Sequence, residues 1–401
     1  MADHPQKCGT VHALNFHRGR PCSYSVLIPD GEHPISWNVV GGLSRIKGIK
    51  IHVASKTRDT DLRFSRHLTS FHVGPDLTDE ERYRNWLLDL AEETGATLLM
   101  PISAPLVRFC ALHRDALAGR VRLPLLPDLA TFESVFDKGN LSRLLERLDI
   151  PHPPTLRCDD HPGLASALGD FSFPALLKPC RGAGGWGIQR FDTREVFLKR
   201  LQQEPRLAAG CVLQTFVPGL DMGCSVLCKD GDVLARTVQY IPRVTEGSFA
   251  PQLTRIGFVH DEAAFETTSR LVRGTRWNGV ANVDLRRDSR TGEVKLLEVN
   301  PRFWGSVGAS VRAGVNFPAL SCRAGYGERF DPPGYPDHVY LALGEAVRQF
   351  VENAKHLKLR TPGLPVRTPA PFVLRDPAPS VRCWFNKARA GLVRRLSRAG
   401  G

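Results

Sequence analysis

Leu296-Leu297-Glu298-Val299-Asn300-Pro301-Arg302-Phe303-Trp304-Gly305-Ser306 opens as an apolar run with the character of a buried strand. A carboxylate and a carboxamide then stand two residues apart. Strand side chains alternate faces, so Glu298 and Asn300 point the same way. Arg302 continues that face if the chain stays extended past Pro301. Two oxygen donors and a guanidinium in one row suit a magnesium-bound polyphosphate: the oxygens hold the cation and the arginine meets phosphate or carboxylate oxygens. A strand ending in an Asn-Pro turn beside a surface salt bridge has the same local signature. What precedes the row decides between them.

Upstream, Phe136-Asp137-Lys138 opens a helix over Asn140–Leu148, with Leu141, Leu144, Leu145 and Leu148 on one face. A lysine just before a helix N-terminus lies beside the positive dipole end, an arrangement that suits an anion docked between them. Ala175–Pro179 reads as a buried strand carrying Lys178. It runs into Cys180-Arg181-Gly182-Ala183-Gly184-Gly185-Trp186-Gly187-Ile188. Such glycines let the backbone approach a ligand and turn its N–H groups toward phosphate oxygens, while Lys178 neutralises the same phosphates. The lysine precedes the glycines, so this is not a Walker loop. Cys211–Asp221 reads as strand, turn, strand. Its connection can offer backbone N–H and C=O groups to an adenine edge, and Asp221 is placed to accept from ribose hydroxyls. Ser225–Leu227, Val233–Tyr240 and Gly279–Leu285 read as antiparallel strands, with hairpin turns at Asp230-Gly231 and Thr291-Gly292.

The first third has another rhythm. Tyr24–Ile28, Ile49–Ala54, Thr97–Pro101 and Leu123–Leu126 are short strand-like runs. Between them Asp79–Thr94 carries Trp86, Leu87, Leu90 and Ala91 at helical spacing and ends at Gly95. Strands alternating with helices predict a small parallel sheet. Pro29-Asp30-Gly31 ends the first strand without a following Gly-x-Gly-x-x-Gly, so no nucleotide site is assigned here; the turn either lines a ligand crevice or is a plain turn.

At 401 residues the chain is long enough for two or three domains. Its net charge of +13 suits polyanionic ligands, although the basic final stretch supplies part of it. Ten cysteines without a CxxC pair argue against a zinc site or a disulfide scaffold. There is no signal-like N-terminal core and no run of the ~18 apolar residues a membrane span needs, so the expected setting is cytoplasmic.

In one order and with consistent spacing, Asp137-Lys138 before a helix, LLKPCRGAGGWG, LQTFVPGLD, VANVDL and LLEVNPRFWGS resemble the ATP-grasp superfamily, as in biotin carboxylase, the large chain of carbamoyl phosphate synthetase and carboxylate–amine ligases. The resemblance covers roughly residues 131–325. It implies an α/β N-terminal domain with a small parallel sheet (1–130). An α+β ATP-grasp module of two subdomains with antiparallel sheets follows (131–330, divided into 131–215 and 216–330). A C-terminal helix, a Pro-rich stretch and a basic tail complete the chain (331–401). It further implies that Lys138 and Lys178 hold nucleotide phosphates and that Gly182, Gly184, Gly185 and Gly187 form a flap over them. Gln214, Thr215, Phe216 and Val217 resemble the adenine hinge, with Gln214 where many members have Glu, and Asp221 the ribose-binding acid. Asp284, Glu298 and Asn300 resemble the magnesium ligands. Asp284 is a methylene shorter than the usual Glu or Gln, which bears on one metal position. Arg302 resembles the arginine that stabilises the transferred phosphoryl group or the acyl phosphate.

The implied activity is that of an ATP- and magnesium-dependent ligase, with manganese as a substitute metal. A carboxylate becomes an acyl phosphate, with Lys178 and Arg302 in catalytic roles, and an amine then attacks it. The alternatives are a bicarbonate-using carboxylase or carbamoyl phosphate-type enzyme, or a non-catalytic ATP-binding module. The expected partners are small-molecule carboxylate and amine substrates. Nucleic acid is not favoured, and a homo-oligomer is left open. Loop 242–255, with Arg243, Glu246 and Arg255, is a candidate for part of the substrate pocket or an exposed hairpin. Downstream, Pro333–Pro336 breaks the chain, Val339–Phe350 reads as an amphipathic helix and residues 361–381 are Pro-rich. Arg382–Arg398 is basic and free of acids. It reads either as a membrane-surface helix or, the favoured reading, as a segment docked on the protein's own body.

Overall fold

The computed structural model describes residues 23–161, 163–182, 184–241, 253–355 and 365–386. Its first unit is a parallel sheet of β1 (Ser25–Ile28), β2 (Lys50–Ser55), β3 (Ser70–Val73) and β4 (Leu98–Leu99), ordered β3-β2-β1-β4. Helix Glu80–Thr94 packs beside it through Tyr83, Leu87, Leu90 and Ala91. Asp79 caps its start by accepting from the Arg82 N–H, and left-handed Gly95 ends it. One strand assignment is corrected. Leu123–Leu126 forms no ladder beyond a bridge between Arg122 and Leu98, because Pro124 has no N–H to donate. At the opposite edge Ser70–Val73 forms a strand that was not expected, paired with β2.

The second sheet, ordered β5-β8-β6-β7, is antiparallel: β5 (Thr155–Arg157), β6 (Ala175–Pro179), β7 (Gln189–Phe191) and β8 (Cys211–Thr215). Phe197 is buried beneath it among Phe173, Phe191 and Leu213.

The third sheet is the backbone of the molecule. It joins β9 (Gly219–Lys229), β10 (Asp232–Ile241), β11 (Arg255–Val259), β12 (Gly279–Asp288), β13 (Val294–Asn300), β14 (His338–Leu341) and β15 (Val366–Arg367) in the order β13-β12-β9-β10-β11-β14-β15. Asp230 and Gly231 both take positive φ, 51° and 90°, as the tight β9–β10 hairpin requires. The amphipathic run at 339 is corrected too. Val339–Leu341 belongs to β14, antiparallel to β11, and the helix starts later, over Leu343–Lys355. Residues after 330 therefore add two strands to the large sheet.

Each face of that sheet has a core. On one, Met222, Val226, Val283 and Leu285 meet Leu141, Leu144 and Leu145 of helix Lys138–Arg147. On the other, Leu227, Phe258, Phe303 and Trp304 join Val26, Ile28 and Val53 in one continuous cluster, so the first unit and the large sheet share a core.

The described part of the C-terminal segment docks on the first unit. Asp376 accepts from Ser65 Oγ and from the Arg66 N–H, Phe372 packs tilted against Trp37 with ring centroids 4.4 Å apart, and Arg382 pairs with Asp59 and Asp61 over the Phe64 ring. The tail beyond 386 lies outside the described residues, as do Arg243 and Glu246; Arg255 opens β11. Among the described residues, no helix is long and apolar enough to cross a membrane.

Candidate active site

Three elements bring the site together. Asp137 caps helix Lys138–Arg147 by accepting from Gly139 and Asn140 N–H, and Arg157 pairs with it at 2.8 Å. This fixes Lys138 at the helix start, buried, with Nζ donating to the Gly182 carbonyl at 3.0 Å and 3.5 Å from Glu298 Oε1. Lys178 comes from β6, also buried, and donates to Gln214 Oε1 at 2.6 Å. Burial, with help from neighbouring Lys138, pushes its pKa down to about 8, against the opposing pull of Glu298. Two sequestered lysines around one carboxylate make a cationic pocket suited to phosphate oxygens.

The glycine loop lies over it. Gly182, Gly184, Gly185 and Gly187 all have positive φ, from 73° to 141°, a conformation that side chains with Cβ adopt at a cost. Trp186 is exposed at its tip.

Glu298 and Asp284 face each other across β13 and β12, and Asn300 faces Asn282. The register shifts there, leaving Leu297 unpaired, a bulge that re-aims side chains. Asn282 Nδ2 donates to Asp284 Oδ1 at 2.7 Å, and Asn300 Nδ2 to Asp284 Oδ2 at 3.0 Å. Burial first, then the facing Glu298 carboxylate, push the Asp284 carboxyl well above the usual range. Two carboxylates forced together, with a carboxamide oxygen beside them, form a donor set that a hard divalent cation would relieve, so these residues fit magnesium. Among the described residues no group of three His, Cys, Asp or Glu side chains gathers to hold a metal.

The chain does not stay extended past Pro301: the Arg302 N–H folds back onto the Asn300 carbonyl at 2.8 Å. Its guanidinium nevertheless returns to the row, donating to Asn300 Oδ1 at 3.2 Å and to the Phe303 carbonyl.

The hinge is more occupied than the sequence suggests. Thr215 N–H donates to the Pro154 carbonyl, Phe216 N–H to Pro174, and the Val217 carbonyl accepts from Arg286. Gln214 is buried between Lys178 and Thr155 Oγ1, so its side chain positions a lysine. Asp221 is held by Arg286, whose Nε lies 2.7 Å away. Neither Arg286 nor Asn282 was among the expected residues. Asn282 was readable, since it precedes Asp284 by two on the same strand face; Arg286 shares that face one step further on.

Beside Arg302 a cavity of about 550 Å³ opens at the carboxyl ends of the parallel sheet, where open α/β sheets bind ligands. Asp30 and His33 follow β1 there, and Gly182 and Arg302 line it as well.

Comparison with known proteins agrees with this fold. A family model described as "ATP-grasp in the biosynthetic pathway with Ter operon" matches residues 210–344. D-aspartate ligase from Enterococcus faecium (strain Aus0004) is 23% identical over 263 residues, which are 60% of this chain and 62% of that one, so the match spans less than two thirds of the relative. N5-carboxyaminoimidazole synthetase from Staphylococcus aureus, solved with ADP, superposes with a TM-score of 0.64 at 14% identity, covering 82% of this chain and 86% of that one. L-amino acid ligase from Bacillus licheniformis gives 0.59 at 19%, covering 79% and 76%. The fold is that of these ATP-grasp structures.

Proposed function

We propose that this chain is an ATP- and magnesium-dependent ligase that activates a carboxylate as an acyl phosphate and passes the acyl group to an amine. The observation that carries the reading is Lys138, buried between the flap carbonyl of Gly182 and Glu298, with Lys178 behind it. Binding alone does not call for two desolvated cations, a carboxylate pair and a guanidinium in one place. The names of the relatives support the direction, since D-aspartate ligase and L-amino acid ligase are both ligases.

In this reading Lys138 and Lys178 neutralise the phosphate oxygens and Gly182 to Gly187 cover them. Asp284, Glu298 and Asn300 hold the metal, which when bound draws charge from the transferring phosphoryl group. Gln214 keeps the Lys178 ammonium aimed. The hinge 214–217 flanks adenine, and Asp221, steadied by Arg286, faces the ribose. Arg302 meets the substrate carboxylate and then the acyl phosphate made from it. A reducing, cytoplasmic setting accords with the eight free cysteines of the described residues.

The test is ADP release from ATP and magnesium with panels of acids, plus hydroxylamine to trap any acyl phosphate as a hydroxamate. Acid-dependent ADP and hydroxamate are expected. ATP binding without either product would leave a nucleotide-binding module and end the ligase reading.

A further inference from the structure

The cavity beside Arg302 is lined by unlike groups. Arg302 and His33 line it together with Gly182 of the glycine loop. His33 Nδ1 accepts from the Ile35 N–H at 3.3 Å, so a neutral ring carries its proton on Nε2. Burial first, then the Arg302 charge, lowers the His33 pKa and keeps the ring neutral. A guanidinium and an imidazole N–H there form a donor pair for a carboxylate. Glu32 and Asp76, after β1 and β3, line it too, and the Glu32 charge reaches His33. Lys56 lies 3.8 Å from Asp76, whereas Glu32 Oε2 accepts from Ser55 Oγ at 2.9 Å and from the Lys56 N–H at 3.3 Å. Those bonds fix the Glu32 carboxylate, and its Oε1 takes none from the described residues. Part of the wall is apolar: Leu77, Tyr83 and half-buried Trp86, with the two rings 5.8 Å apart.

We infer that this cavity is the binding site of the acid substrate and that it selects a zwitterion, an amino acid with a bulky apolar side chain. Its carboxylate lies on Arg302 and His33 Nε2–H, its ammonium on Glu32 Oε1, and its side chain against Leu77, Tyr83 and Trp86. The volume is in the range that encloses small ligands. Glu32 is itself exposed, so the selection comes from the charge-assisted contact an ammonium makes with its carboxylate, a contact that an acid lacking the amino group cannot make. The inference deepens the ligase reading and rests on it only in taking Arg302 as the carboxylate partner.

Calorimetry with magnesium and a non-hydrolysable ATP analogue separates binding from turnover. The probes are phenylalanine and leucine, each against its des-amino analogue (3-phenylpropionate and 4-methylpentanoate). Wild-type protein is expected to bind at least one amino acid ten times or more tighter than its analogue. Glu32→Gln should shrink that ratio below threefold by weakening the amino acid alone, and Glu32→Asp should restore part of it. Equal binding of acid and amino acid, no binding of either amino acid, or a ratio unmoved in Glu32→Gln would overturn the assignment. If the binding pattern holds but no acid elicits ADP release, the ligase reading falls and the subsite stands. If hydroxamates form as readily from the des-amino acids, the ligase reading stands and the subsite falls.

Discussion

Lys178 sits at the end of a buried strand with Gln214 as its hydrogen-bond partner and a pKa pushed down to about 8. A phosphate group arriving beside it restores full protonation, so the lysine binds through charge that the apo pocket partly suppresses. Lys178→Ala should therefore weaken ATP affinity tenfold or more and abolish ADP release, read by calorimetry and a coupled assay; near-normal turnover would remove the phosphate role. Arg302 should split differently, because in the proposed mechanism its contact is with the reacting group. Arg302→Lys loses the two-pronged geometry and should cost on the order of 3 kcal/mol in the transition state, a hundredfold or more in turnover, with ATP affinity nearly unchanged. Loss of ATP binding with normal turnover at saturation would put Arg302 on the nucleotide instead. Asp30, in the cavity lining, gives a pH test read through stability rather than turnover. Burial pushes its carboxyl up to about 6, from an ordinary value of 3.8, against N–H donation from Ile102 and Ser103. The folded state thus holds this proton more tightly than the unfolded chain. The stabilising contribution is full below about pH 4 and is lost as pH rises through 6, up to about 3 kcal/mol. Asp30→Asn should gain on wild type by that order between pH 4 and pH 7 in urea midpoints; parallel pH curves would contradict it. Residues of this kind divide by how locally they are specified. Glu298, Asn300 and Lys178 were legible because strand alternation alone sets their facing. Asp30 was half legible, in a turn read as crevice lining or plain turn; His33 and Glu32 were not, since their place in the cavity with Arg302 depends on how two units pack.

Among elements, the flap depends on backbone shape more than on side chains. Gly187 has φ +74°, and a Cβ there would lie 2.9 Å from the Pro179 ring. Gly187→Ala should strain the closed flap by about 1–2 kcal/mol and weaken ATP affinity about five- to thirtyfold. Calorimetry against wild type checks this, and unchanged affinity would mean that the flap does not close over the nucleotide through this turn. The hairpins and glycine loops were readable because special φ values demand special residues. The elements that sequence reading missed were decided by partners. Ser70–Val73 carries little strand signal, yet it pairs along the open edge of β2, while Leu123–Leu126, interrupted by Pro124, adjoins the opposite edge only through the bridge of Arg122 to Leu98. Val339–Leu341 has an apolar pattern that serves a helix or a strand, and an open edge on β11 selected the strand.

At the scale of the molecule, one core runs from Val26 and Ile28 to Phe303 and Trp304, so the proposed substrate site and the metal row are held on a common support. The C-terminal segment completes that support unevenly. Arg382 is partly exposed and its ion pairs with Asp59 and Asp61 are 3.4 Å long, worth at most about 1 kcal/mol. Truncation before Arg382 should thus lower the melting temperature by about 2 °C or less. Truncation before Val366 also removes β15, the Asp376 cap on Ser65 and Arg66, and the Phe372 ring that fits against Gly41, and should lower it several times more. Equal losses from the two would show that the ion pairs, not the packing, secure the segment. Ser65 and Asp376 are 311 positions apart. On the ribosome, the first sheet emerges long before its cover is translated, and the surface around Ser65 and Trp37 stays bare until nearly every other described residue has been made. A nascent chain paused before residue 366 would therefore present this face to chaperones, and the last contact to form is one that the first unit cannot make alone.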